Sequence, residues 1–308
     1  MLRTTLFLLC ASLACPCYAQ EPQSLTNIEE NLQQQEARFS DLVDGSEKHI
    51  RWFAEPQQAS KLSIVYLHGF SASRQELNPL VERLADTLQA NVFFTRLQGH
   101  GRSDDAMAEG SVAGWKADTI GAYQIGQLLG DKVIVVSTST GATLATWLNT
   151  QAIAHNMHAN VLISPNFGVK NSSAKIVTWS AGLWLAELIG GEYRSFTPMN
   201  EFHARYWTER YPIRAVVPML ELVDEVTELD KSSINTPQLM IYSPEDKVIN
   251  VEDIVRTAAQ MTSADVTEVQ FTVSKDPYQH VLVGRASDSV DEVDDMLEII
   301  EAFLSKIE

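Results

Sequence analysis

The chain has 308 residues, with 23 lysines and arginines against 40 aspartates and glutamates, and a formal net charge of −17 at pH 7. Such a surface repels polyanions, which argues against nucleic acid as a partner and makes anionic lipid faces poor docking sites. At this length a single core buries most of the chain's surface, so no disulfide is needed for folding.

Met1 to Ala19, MLRTTLFLLCASLACPCYA, carries one basic residue (Arg3), an apolar stretch around Leu6 to Leu13, and small residues up to Ala19. This reads as a secretory signal, too short to span a membrane stably, so the protein is expected to be exported to a periplasm or the medium. Cys15 and Cys17 leave a lipid-anchored form open, although Ser12 stands where an aliphatic residue would precede a modified Cys15. Cleavage after Ala19 would remove Cys10, Cys15 and Cys17 together, leaving no cysteine for a disulfide, a thiolate nucleophile or a metal site. Residues 20–45 are polar and rich in Gln and Glu, expected as a loose lead-in or a surface helix.

From residue 46 onward strands and helices alternate. Strand character runs over His49–Phe53 and more clearly over Lys61–Leu67, where β-branched and aromatic residues form a short apolar run. Leu77, Leu80, Val81, Leu84 and Leu88 recur at helical spacing, which predicts an amphipathic helix over Ser73–Gln89. A strand at Asn91–Thr95, a helix over Ser111–Leu129, a strand at Lys132–Val136, a helix over Thr140–Ala154 and a strand at Ala159–Ser164 follow. Such alternation implies parallel βαβ units and a sheet covered on both faces. The stretch 168–235 breaks the rhythm, is too long for an ordinary connection, and is rich in aromatics: Trp179, Trp184, Tyr193, Tyr206, Trp207 and Tyr211. It is expected to form a helical cap, within one compact unit. The alternation then resumes with a strand at Gln238–Tyr242, a helix over Val251–Met261, a strand at Thr267–Val273 and a last helix over Ser287–Ile307.

The strand–turn–helix VIVVSTSTGATLA, Val133 to Ala145, places Ser139 at the tip of a sharp turn. A turn this tight needs small residues two before and two after its apex, here Ser137 and Gly141. Gly-x-Ser-x-Gly is the usual form of this nucleophile elbow, and Ser137 departs from it. The alternative is that Ser137 to Thr140 merely cap the following helix. A serine hydroxyl becomes a useful nucleophile when a base takes its proton and a carboxylate steadies that base. Asp246 lies in the loop after the strand ending at Tyr242, with Glu245 as its neighbouring competitor. His280 lies in the loop after the strand ending near Val273. The order serine, acid, histidine is that of the α/β-hydrolases. Two backbone N–H groups, from Phe70 in Leu67-His68-Gly69-Phe70 and from Thr140 at the start of a helix, are the candidate oxyanion donors. His68 reads as structural. His155 and His158 are spaced like metal ligands but lack a third partner, so no metal and no cofactor are expected.

On the runs YLHGFSAS, RLQGHGRS, STSTG, YSPEDKV and YQHVL, the chain from Lys61 to its C-terminus resembles the capped serine α/β-hydrolases. Within them it resembles the bacterial carboxylesterase and monoglyceride-lipase-like (serine aminopeptidase-like) branch. The resemblance implies an α/β fold with a mostly parallel eight-stranded sheet, helices on both faces and a helical cap. It implies Ser139 as nucleophile, Asp246 as acid, His280 as base, Phe70 and Thr140 as oxyanion donors, and a structural role for Gly99, His100 and Gly101. The expected activity is cleavage of short to medium acyl esters or monoglyceride-like lipids through an acyl-enzyme. An aminopeptidase or amidase is the alternative, for which Glu221, Asp224, Glu225 and Glu228 in the cap would receive an amine. A catalytically silent binding protein of the same fold is a third reading.

Overall fold

The computed structural model describes residues 24–170 and 191–307. The signal-peptide reading of residues 1–19, its three cysteines, and Trp179 and Trp184 therefore lie outside the described residues. Strands β1 (His49–Arg51), β2 (Ser60–Leu67), β3 (Asn91–Phe94), β4 (Gly130–Thr138) and β5 (Ala159–Ile163) join two later strands in one sheet. In chain order these later members follow a two-stranded ribbon, β6 (Tyr193–Ser195) and β7 (Arg210–Pro212), and are β8 (Gln238–Tyr242) and β9 (Val266–Gln270). The sheet runs β1-β3-β2-β4-β5-β8-β9, and within it only β1 against β3 is antiparallel. It has seven strands among the described residues, where the resemblance implied eight, and the lead-in forms a helix, α1 (Ile28–Glu36), one of the two forms expected of it.

Parallel strands covered on both faces read as continuous apolar runs, since neither face meets water. Alternate residues of β2 and β4 accordingly enter two cores. Val65, Leu67, Val133 and Val135 face one side with Trp115 and Tyr123, while Ile64, Tyr66, Ile134 and Val136 face the other. The first side is covered by α3 (Val112–Leu129) and α4 (Thr140–Asn149), the second by α2 (Leu80–Leu88) and the C-terminal helix α8 (Val293–Leu304). Between β8 and β9 lies α7 (Val251–Gln260).

Three helices are shorter than the sequence expectation by five residues or more. Helix α2 begins at Leu80, not Ser73, because Pro79 cannot sit inside a helix and biases Asn78 away from helical backbone. Residues 73–78 instead make tight turns. Helix α4 ends at Asn149, with a separate 3-10 turn at Ala152–Ala154. Helix α8 starts at Val293, since Asp288 adopts a left-handed backbone that interrupts the run. The inserted stretch is not wholly helical: β6 and β7 pair antiparallel, as the β-forming Tyr193, Phe196 and Tyr211 favour.

Two helices of the insertion, α5 (Glu201–Tyr206) and α6 (Val216–Glu228), fasten it to the sheet. Met219, Leu220, Leu222, Val223 and Val226 of α6 join the core beside Trp147 and Phe167. Trp207 packs with Ala72, Val281 and Ala286, the N–H of Thr208 donates to Ser71 O at 2.8 Å, and Asn200 Nδ2 donates to Arg285 O at 2.9 Å. These contacts grip two loops at the C-terminal edge of the sheet, the one after β2 and the one after β9. No helix among the described residues is long and apolar enough to cross a membrane.

Candidate active site

Ser139 adopts φ 51° and ψ −117°, a conformation costly for any residue with a side chain and typical of an over-determined functional turn. The neighbours impose it. The N–H of Ser139 donates to Ile163 O at 3.0 Å, and its carbonyl accepts from Ala142 and Thr143 as α4 begins. A Cβ on Gly141 would stand 2.2 Å from Leu67 O and 2.6 Å from His68 O, so the crossing of helix and strand admits glycine there. Ser137 meets no such limit. Its buried hydroxyl donates to Val161 O on β5 at 3.2 Å, which satisfies the group that replaces the usual glycine.

The three residues singled out from the sequence converge. His280 Nε2 lies 3.0 Å from Ser139 Oγ, and His280 Nδ1 lies 2.7 Å from Asp246 Oδ2. All three are buried. The other oxygen of Asp246 accepts the N–H groups of Val248 at 2.7 Å and Ile249 at 3.0 Å, which orients the carboxylate toward the imidazole. Glu245, its competitor, is exposed. Burial works against a charged imidazolium at His280, but the carboxylate of Asp246, aided by Glu76 and Asp276, outweighs it and holds the pKa above the ordinary histidine value.

A residue that sequence reasoning missed shapes the histidine loop. Asp276 Oδ2 accepts the N–H groups of His280 and Val281, both at 2.8 Å, and its Oδ1 accepts that of Tyr278 at 2.9 Å. Gln279 then ties this loop to the acid loop, accepting from Ser243 Oγ at 3.1 Å. The Asp-Pro pair in KDPYQH is the available signal, because aspartate before proline favours a turn closed by its own side chain.

Gly69 and Phe70 run alongside the nucleophile: a Cβ on Gly69 would lie 3.2 Å from Ser139 Cβ. The N–H of Phe70 and that of Thr140 make no hydrogen bond among the described residues, and the latter sits at the N-terminus of α4. The ring of Phe70 is held edge-on by Tyr211, His100 and Trp115. His68 has both ring nitrogens engaged, Nδ1 with Gly69 O at 2.9 Å and Nε2 accepting from Leu97 N–H at 3.1 Å, and burial lowers its pKa to about 4. His100 bonds Gln98 O through Nδ1 and is likewise pushed far down by burial. Both hold backbone and neither reaches Ser139. His155 is exposed, and His158 lies at the opposite edge of the sheet, just before β5. Among the described residues no group of three His, Cys, Asp or Glu side chains could hold a metal ion. Of the acidic residues on α6, Glu225 is paired with Lys116, and Glu221 and Glu228 are exposed.

The family described as serine aminopeptidase, S33 (Hydrolase_4), matches residues 58–272, well over half of the chain. Solved structures share the fold at low sequence identity. One is that reported for the metagenome-derived lipolytic enzymes LipS and LipT, at TM-score 0.67 and 18% identity over 86% of this chain and 99% of that one. A monoacylglycerol lipase from Paleococcus ferrophilus gives 0.59 and 14%, over 85% and 100%. A soluble variant of the Saccharomyces cerevisiae monoglyceride lipase gives 0.61 and 11%, over 86% and 93%. No curated protein sequence matches the chain.

Proposed function

The chain belongs to the serine aminopeptidase, S33, family of hydrolases, and from that premise we propose that it is a serine hydrolase cleaving carboxylic esters through an acyl-enzyme. The observation that carries the reading is the unbroken relay from Ser139 Oγ through His280 to Asp246, at 3.0 and 2.7 Å. In this mechanism Ser139 Oγ attacks the ester carbonyl as its proton passes to His280 Nε2. Asp246 fixes the tautomer with the proton on Nδ1 and stabilises the imidazolium that forms. Negative charge on the carbonyl oxygen is received by the N–H groups of Phe70 and Thr140, where the end of a helix adds its dipole. His280 then protonates the leaving alcohol, and water, activated by the same imidazole, releases the acid.

Short to medium acyl esters or monoglyceride-like lipids are the proposed substrates. The apolar surroundings of Phe70, where Tyr211 and Trp115 meet, suit a hydrocarbon group. A peptidase reading is favoured by the family's own description. Against it, the α6 acid that bridges to the main body, Glu225, is already paired with Lys116. Export is part of the proposal, with residues 1–19 as its signal and a lipid anchor at Cys15 or Cys17 as the alternative; the N-terminal residue of the released protein discriminates, Gln20 being expected.

The test is hydrolysis of p-nitrophenyl esters from acetate to palmitate beside aminoacyl p-nitroanilides, with Ser139→Ala and His280→Ala. Ester turnover lost by roughly 10⁴-fold or more in both variants is the expected outcome. Turnover of anilides alone would move the assignment to the peptidase, and inertness toward both series to a binding protein.

A further inference from the structure

Behind the elbow lies a carboxyl group that the proposed reaction does not use. Glu76 sits in the turn before α2 with 2% of its surface exposed. Its Oε2 accepts the N–H of Gly69 at 2.7 Å and the phenolic O–H of Tyr66 at 3.0 Å. The Tyr66 hydroxyl also lies 3.3 Å from Thr138 Oγ1, on the residue preceding Ser139. A Cβ on Gly69 would come within 2.8 Å of Glu76 Oε1 and 3.2 Å of Ser139 Cβ. The carboxyl and the nucleophile thus both crowd the side of Gly69 that a Cβ would occupy, and the Glu76 side chain reaches the backbone beside Ser139. The turn that carries Glu76 is fastened to the segment after His280 as well, since Arg285 N–H donates to Asn78 O at 3.0 Å.

Among the described residues no lysine or arginine forms an ion pair with Glu76. Burial pushes its pKa up to about 7, while the Gly69 N–H, the Tyr66 hydroxyl and the nearby His280 pull the other way. Burying a carboxyl without a counter-ion is costly, and such groups gather where a site needs them. What this one can do follows from peptide geometry. The peptide joining Gly69 to Phe70 is planar and trans, so its C=O and N–H point in opposite directions. The C=O is held by His68 Nδ1 at 2.9 Å. Glu76 holds the preceding N–H. With both sides of Gly69 fixed, the direction of the Phe70 N–H is set.

We propose that Glu76 is a positioning residue: its carboxyl oxygen locks the Gly69 backbone so that the N–H of Phe70 faces the carbonyl oxygen attacked by Ser139. The role rests on the ester-hydrolase reading above. Glu76→Ala removes the acceptor, whereas Glu76→Gln keeps an oxygen of similar reach. The expected result is a kcat lower by roughly a hundredfold in the alanine variant, the magnitude typical of losing one oxyanion donor, with KM changed less than threefold. The glutamine variant is expected to recover at least tenfold of that loss. Near-UV circular dichroism identifies the folded fraction to which each rate is referred.

An alanine variant that, once folded, keeps kcat within threefold of the parent overturns the proposal, as does a glutamine variant as slow as alanine. Hydrogen exchange at the Gly69 amide reads the same lock without catalysis. It is expected to be protected in the parent and the glutamine variant and unprotected in the alanine variant. Protection that survives Glu76→Ala contradicts the positioning role even if the parent hydrolyses no ester. Glu76-dependent protection in a parent inert to esters strikes the ester reading and leaves the lock.

Discussion

Ser137 and Gly141 flank Ser139 at equal distance along the chain but under unequal constraint. Gly141 faces two backbone carbonyls at 2.2 and 2.6 Å from any added Cβ, and a backbone cannot step aside as a side chain can. Gly141→Ala is expected to destabilise the fold by about 1–3 kcal/mol or more and to lower activity, measured by urea unfolding and ester turnover. Ser137→Gly forfeits one hydrogen bond, to Val161 O, and should stay within about 1.5 kcal/mol of the parent. Asp276→Ala strips the acceptor from three loop N–H groups. It is expected to cut kcat and to lower the unfolding midpoint, because buried donors left without an acceptor cost about 1–3 kcal/mol each, and a variant with parental kcat would show that the loop holds its histidine without it. Ser139, Asp246 and His280 were legible in the sequence because a serine between small residues, followed by an acid and a histidine at later strand ends, is a pattern of types and order. Glu76 and Asp276 were not. Each is one carboxylate among 40 acidic residues, and what distinguishes them is a set of N–H donors that meets them only after folding.

Whole elements show the same division. Runs such as KLSIVYL and QLMIY name their strands, because burial on both faces leaves no polar alternation to misread. The start of α2 was missed where leucine periodicity outran Pro79, and the β6–β7 ribbon was missed because three-residue strands carry too little period to register. The lead-in helix α1 gave no hint of its partner. Glu36 on its last turn forms a buried bidentate pair with Arg96, at 2.7 and 2.9 Å, and Arg96 also donates to His100 O at 3.1 Å. This joins the N-terminal helix to the loop that backs Phe70. Glu36→Ala leaves a buried guanidinium without its carboxylate and is expected to cost about 3–5 kcal/mol in chemical unfolding. A loss below about 1 kcal/mol would mean that α1 is not docked in solution.

Across the molecule, the surplus of acidic groups is carried mostly on the surface, while the interior holds His68 and His100, whose burial disfavours the charged form. His68 titrates near 4 in the fold against about 6.5 unfolded. The unfolded chain therefore binds the proton first as pH falls, and stability drops between pH 6.5 and 4, by an amount on the order of 3 kcal/mol. His100 acts in the same direction. Glu76 and His280, whose pKa values are raised, act in the opposite one. Comparison with His68→Gln isolates the contribution: the parent should lose more stability between pH 7.5 and 4.5 than the variant, and equal losses would contradict a neutral buried His68. The reading that gathers these scales is a covalent one, in which the strained serine, the relay behind it and the paired N–H groups make and break an acyl bond. Its most direct test is the intact mass of the protein quenched in acid while turning over a p-nitrophenyl ester, followed by peptide mapping. The prediction is one acyl group on the peptide containing Ser139, absent from Ser139→Ala; an acyl group on another residue, or ester turnover undiminished in Ser139→Ala, would contradict it.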